Sequence, residues 1–218
     1  VVDIGANFGL FSRYCLERGA GKVLAVEANS DVFAHLQKNI KQEEGRALHK
    51  AVHNFDGKIE FHESQNSLVS GLYENRNDIE NHGKIKTKIV ECLTLDSLLK
   101  DEEEIDLLKI DVEGAEYEIL GKFGSSDQTL NKCSKIYLEF HDGIKKRDKL
   151  ENIKQRFLDL GFSLIKYLGQ DQNGNYSQGW FCWEKEKLPK RAFVSVTTEN
   201  YLPVAEFLVK SVNEFSSI

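Results

Sequence analysis

The sequence predicts an α/β fold, a mixed but mainly parallel sheet with helices on both faces, and three observations lead there. Apolar runs of strand length alternate with segments of helical period, the pattern that produces a parallel sheet with covering helices. The first run passes through a Gly-containing turn straight into a helix. Near the far end, two strand-like runs follow one another with no helix between them, so they must pair antiparallel, at one edge of the sheet.

Val1 to Ile4 is the first expected strand, and Leu10, Phe11, Tyr14 and Cys15 recur at helical spacing until Gly19 ends the helix. Val23 to Val26 is the second strand. Asn29 or Ser30 caps the next helix, whose apolar face is Val32, Phe33, Leu36 and Ile40. A third strand is expected at Ala47 to Val52, then strands at Lys58 to Glu63 and Ile85 to Leu95 around a polar stretch, Ser64 to Lys84, read as a solvated loop or a lid. Ile105 to Ile110 is the fourth main strand, with a helix at Ala115 to Leu120, and Ile136 to Phe140 is the fifth. Leu150, Ile153, Phe157 and Leu160 give a helix ending at Gly161. Ser163 to Leu168 and Trp180 to Glu184 form the antiparallel pair. A charged stretch containing Pro189 reads as a linker, followed by a strand at Phe193 to Val196 and a helix from Pro203 to Phe215.

The chain of 218 residues is long enough for one domain and a remainder. It contains no Met and begins within an apolar run, so it reads as an excerpt. A net charge of −6 disfavours a nucleic-acid partner, which requires a concentrated basic surface. Four scattered Cys, with no C-x-x-C pair, suggest thiols in a reducing, cytoplasmic compartment rather than disulfides or structural zinc. No stretch approaches the eighteen consecutive apolar residues of a membrane helix.

The turn Asp3-Ile4-Gly5-Ala6-Asn7-Phe8-Gly9 offers a left-handed backbone position, close approach for a ligand and a helix N-terminus. A dinucleotide fingerprint would need Gly where Asn7 and Leu10 stand, so a nucleoside ligand without a diphosphate fits better than NAD. Glu27 closes the second strand about twenty residues on, where a carboxylate accepts both hydroxyls of a ribose. The stretches VDIGANFG, VEAN and LLKIDVEGAEYEIL closely resemble the glycine-rich turn, acidic strand end and fourth-strand signature of FkbM-type methyltransferases. That resemblance covers roughly Val1 to Glu184. It implies the Rossmann-like, seven-stranded class I methyltransferase fold, S-adenosylmethionine as cofactor, and methyl transfer, usually to a hydroxyl oxygen. It also implies that Asp3, Gly5 and Asn7 line the methionine end, that Glu27 holds the ribose, and that Ala28 and Asn29 lie beside the adenosine.

Ligands of open α/β sheets bind beyond the carboxyl ends of the strands. Lys109, Asp111 and Glu113 alternate along the fourth strand and its exit, and Glu139 and His141 along the fifth. Removing a proton from a hydroxyl needs a base, for which Asp111 or His141 leads, with Glu113 and Glu139 as positioning groups. Lys109 is expected to pair with Asp111 or Glu139, and Glu116 and Glu118 to offset a helix dipole. The histidines at 35, 49, 53, 62 and 82 share no ligand spacing and read as surface groups. A divalent metal on oxygens of Asp111, Glu139 and Asp142 is not favoured, since no compact acidic cluster marks it in the sequence. The segment Phe193 to Leu202 resembles the opening of a nucleotide-sugar glycosyltransferase domain. The expected organisation is therefore a methyltransferase domain over 1–187, a linker over 188–191 and the beginning of a second domain over 192–218. A glycan hydroxyl is then the expected acceptor. The competing reading is a catalytically silent cofactor-fold domain that scaffolds a linked glycosyltransferase.

Overall fold

The computed structural model describes residues 1–63, 86–121, 126–141, 143, 145–170 and 176–185. The expected lid segment, Asp142, the linker and the second domain lie outside them.

The main sheet has seven strands: β1 (Val2–Ile4), β2 (Val23–Glu27), β3 (Gly45–His49), β7 (Ile105–Ile110), β8 (Cys133–Phe140), β9 (Phe162–Gln170) and β10 (Tyr176–Lys185), in the order β3-β2-β1-β7-β8-β10-β9. The first five in that order run parallel, and β10 is antiparallel to both β8 and β9, which is the expected edge pair. Alternation along β2 shows why helices cover both faces. Leu24 and Val26 enter one buried cluster with Ile110, Leu138, Phe157 and Trp183, whereas Val23 and Ala25 enter another with Phe11, Leu36 and Tyr137. Helices α1 (Leu10–Glu17) and α2 (Ser30–Asn39) supply the second cluster. The first is supplied by α3 (Leu95–Leu98), α4 (Glu116–Leu120), α5 (Asp127–Lys132) and α6 (Arg147–Asp159).

The expected third strand, Ala47 to Val52, is in fact two. β2 ends at Glu27, whose carbonyl accepts the Lys50 N–H, and beyond it Ala51 has nothing to pair with in the main sheet. Ala51 and Val52 form β4 and pair with β6 (Lys86–Leu93), which also takes β5 (Gly57–Glu63) antiparallel to make a separate three-stranded sheet. β6 stops at Leu93 because Thr94 caps α3, its hydroxyl accepting the Ser97 N–H. β8 begins three residues before the expected Ile136. Its start was hidden by Lys135, a buried lysine whose charge is met by Glu184 across the β8–β10 pair.

Candidate functional site

The site is built at the carboxyl ends of β1, β2 and β7. The turn after β1 carries three left-handed residues, Gly5 (φ 76°), Asn7 (φ 52°) and Gly9 (φ 83°). The N–H groups of Gly5 and Ala6 both donate to the Val26 carbonyl, tying the turn to the end of β2. Gly5 lines the cleft and has a packing role besides: a Cβ there would lie 1.7 Å from the Asp111 carbonyl oxygen, so the missing side chain lets the exits of β1 and β7 touch.

Glu27 braces the two turns. Its Oε2 accepts the Asn7 N–H at 2.9 Å and its Oε1 the Asn29 N–H at 2.7 Å. Burial pushes its carboxyl up, against the pull of those N–H groups. A carboxylate offers about four lone-pair directions, and the Ala28 N–H is a further donor to this one, so acceptor capacity remains for a hydroxyl donor. The Asn29 side chain turns into the helix, where Oδ1 caps α2 on the N–H groups of Asp31 and Val32, and this residue is not among those that line the cleft. Ala28 lines the cleft, with its carbonyl against His49 Nε2 at 2.9 Å; His49 also stacks on Phe33, so this histidine is not the isolated surface group expected.

Gly5, Asn7, Glu27 and Ala28 form one wall of a cleft of about 730 Å³, counted out to open solvent. Val52 and Phe61 of the small sheet add an apolar flank, and Asp111, Val112 and Glu113 close the opposite side. Sequence reasoning missed Val52 and Phe61 because nothing in the alternation of β4 and β5 announces a second sheet. These residues fit a nucleoside cofactor. A carboxylate able to accept hydroxyl donors, Glu27, stands beside the apolar flank of Val52 and Phe61.

Asp3 was expected on the cofactor's methionine end, but it is fully buried behind the cleft wall. Ser12 Oγ donates to its Oδ2 at 2.7 Å, and Lys109 Nζ lies 3.3 Å from its Oδ1. The same ammonium is 3.2 Å from Asp111 Oδ2 and 3.4 Å from the Gly5 carbonyl it donates to. Burial would lower Lys109, but Asp111 and Asp3 outweigh that and hold it above its usual range. Lys109 thus pairs with Asp111 as expected, with Asp3 rather than Glu139 as its second close partner. Lys109→Met strands two carboxylates, and we expect it to lower unfolding stability by about 3–5 kcal/mol, measured by urea denaturation.

The expected acceptor-side residues do converge. Single ligand atoms of Asp111, Glu139 and His141 lie within 4.8 Å of one another, a compact grouping that their spacing along the chain had concealed. Two of its three groups are engaged by neighbouring charges: Lys109 on Asp111, and Glu116 and Glu113 on His141. Glu113 itself holds a left-handed backbone (φ 51°), a conformation costing about 1 kcal/mol or more in a non-glycine residue. Burial, and the neighbouring carboxylates after it, push Glu113 up to about 7 against the downward pull of His141. Burial would lower His141, but the bond to Glu116 and the charges of Glu116, Glu113 and Asp111 lift it to about 9. Glu116 stands in the first turn of α4, as expected of a group that offsets a helix dipole, but it is also completely buried and bonded to His141.

Residues 3–164 match the model of the Methyltransferase FkbM domain. The chain is 28% identical over 184 residues to the AMB antimetabolite synthetase AmbE of Pseudomonas aeruginosa, covering 68% of this chain but only 8% of that protein's length. Among solved structures, Streptococcus pneumoniae Sp1610 in complex with S-adenosyl-L-methionine superposes with a TM-score of 0.47 at 11% identity, over 97% of this chain and 74% of that one. The human methyltransferase 10 domain containing protein gives a TM-score of 0.46 at 14% identity, over 86% and 71%. Among the described residues no helix is long and apolar enough to cross a membrane.

Proposed function

The chain belongs to the FkbM methyltransferase family and is an S-adenosylmethionine-dependent enzyme, and from that premise we propose that it methylates a hydroxyl oxygen, with Glu113 taking the hydroxyl proton. The observation that carries the proposal is a single cleft lined by Glu27 on one side and by Asp111 and Glu113 on the other. Bound there, the cofactor supplies an electrophilic methyl group with a neutral thioether as leaving group. Glu27 would hold the ribose through the acceptor capacity left by its backbone partners, and Ala28, Val52 and Phe61 would flank the base. Asp111, held by Lys109, orients the acceptor.

A hydroxyl is a weak nucleophile at neutral pH, so the base must be close and suitably tuned. Glu113, raised to about 7 by burial, is ionised in a large fraction of molecules near neutrality and still basic enough to accept a proton. His141, lifted to about 9, already carries its proton at that pH, so it gives way to Glu113 as the favoured base. A sugar acceptor draws support from the resemblance of Phe193 to Leu202 to a glycosyltransferase opening. The chain spans a small fraction of its synthetase relative, so the activity of the parent assembly belongs to the same proposal.

The test is incubation with methyl-labelled S-adenosylmethionine and sugars, nucleotide sugars and hydroxylated amino acids, read by mass spectrometry. The expected product carries the label as a methyl ether, in undiminished yield with EDTA because Lys109 already pairs with Asp111 and Glu116 with His141. Label on nitrogen would contradict the oxygen assignment. Cofactor binding without turnover across all these acceptor classes would favour the silent scaffold.

A further inference from the structure

Behind the cleft wall, Glu116 holds His141 more firmly than a packing role requires. Glu116 Oε1 accepts both the His141 main-chain N–H at 2.6 Å and its Nδ1 at 2.9 Å, while Oε2 accepts the Gly114 N–H at 2.7 Å. The neighbouring Tyr117 hydroxyl donates to the His141 carbonyl at 2.6 Å. A carboxylate accepting from Nδ1–H fixes the ring plane, leaving a single direction for Nε2. That atom is sealed from solvent, has no hydrogen-bond partner among the described residues, and lies 3.3 Å from Glu113 Oε2. Glu113 in turn lines the cleft from its left-handed backbone position. Lys146, the N-cap of α6, donates to the Gly114 carbonyl at 3.2 Å, which steadies the same loop.

We propose that Glu116, which does not line the cleft, is a positioning residue of the reaction: it fixes His141 so that Nε2 sits against Glu113 and holds that carboxylate in place to meet the acceptor hydroxyl. The proposal rests on Glu113 being the proton acceptor. Charged and polar groups face His141 from each element around it: Asp111 and Glu113 at the exit of β7, Glu116 and Tyr117 on α4, and Glu139 on β8. Of these, only Glu116 bonds both its ring and its main chain. The burial of Glu116 beneath a three-point clamp sets it apart from Glu118, which is partly exposed and pairs with Lys149 on the surface.

Because the effect passes through one imidazole nitrogen, its signature is non-additivity. Glu116→Gln is expected to lower kcat about tenfold to a hundredfold, with S-adenosylmethionine affinity and acceptor KM within about twofold of wild type. His141→Asn keeps a donor where Nδ1 lies and deletes the atom facing Glu113, so it should fold and show a similar loss. The double variant should be no slower than His141→Asn by more than about twofold. Losses that multiply, or an unchanged kcat in folded Glu116→Gln, would overturn the proposal. Should Glu116→Gln fail to fold, His141→Asn decides alone: full activity without Nε2 refutes it. Glu113→Gln measured alongside separates the two ideas. If it is fully active the base assignment falls, whereas if it is inactive while Glu116→Gln is unimpaired, only the positioning role falls.

Discussion

Glu113→Gln is expected to lower kcat by about 10²- to 10⁴-fold while leaving S-adenosylmethionine affinity within about twofold, the range associated with loss of a general base. The amide is nearly isosteric and can keep the strained backbone, so a stability loss should not obscure the kinetic one. Only the ionised carboxylate accepts a proton, and burial holds Glu113 at about 7, so wild-type kcat/KM should fall as pH drops through about 7. An unshifted glutamate would place that fall near 4.5. His141, lifted to about 9, loses its charge above that pH and with it the cation beside Glu113, which predicts a second decline on the alkaline side. A profile flat between 5.5 and 8 would remove Glu113 from the role.

Gly5→Ala should produce the largest structural effect. The new Cβ would stand 1.7 Å from the Asp111 carbonyl oxygen, and the residue would also have to hold φ at 76°. Neither strain has a cheap escape, since the obstruction is main chain. A loss of about 3 kcal/mol or more is expected, close to a 10 °C fall in Tm for a chain of this size. Any relief must move Asp111 and the β7 exit, so cofactor affinity should fall as well. Gly161 is the control: it has a similar φ of 82° but no atom within 4 Å of an added Cβ, so Gly161→Ala should lose only about 1 kcal/mol and bind the cofactor normally. Equal melting shifts in the two variants would show that dihedral strain, rather than the contact with Asp111, makes Gly5 necessary.

Much of the main sheet was legible because alternation and apolar runs report burial directly: β2 is buried throughout, and β9 and β10 lack the intervening helix that a parallel connection needs. The small sheet was not legible. β5 and β6 each turn one face to solvent, and the break between β3 and β4 falls at one residue, Lys50, where main-chain pairing changes partner. Helices α3 and α5, with four and six residues, are too short to show a period. In the site, the position of Glu27 in the cleft was legible because it closes a strand. The buried partners of Asp3 and Glu116 could not be read because a carboxylate in sequence looks the same whether it faces a ligand, water or a buried partner. Their partners, Lys109 and His141, lie 106 and 25 residues away, a proximity that only the folded topology creates.

Isothermal titration of S-adenosylmethionine into the wild-type chain and Glu27→Gln tests most directly whether the cleft between the ends of β1, β2 and β7 is the cofactor site. The amide replaces a charged acceptor by a group with one acceptor and one donor end, and charge-assisted bonds are worth about 1.5–3 kcal/mol each. The expected result is a single site in the wild type, no heat with NAD, and affinity weakened about tenfold to a hundredfold in Glu27→Gln. Equal affinity in both proteins, or binding of NAD in place of S-adenosylmethionine, would contradict it.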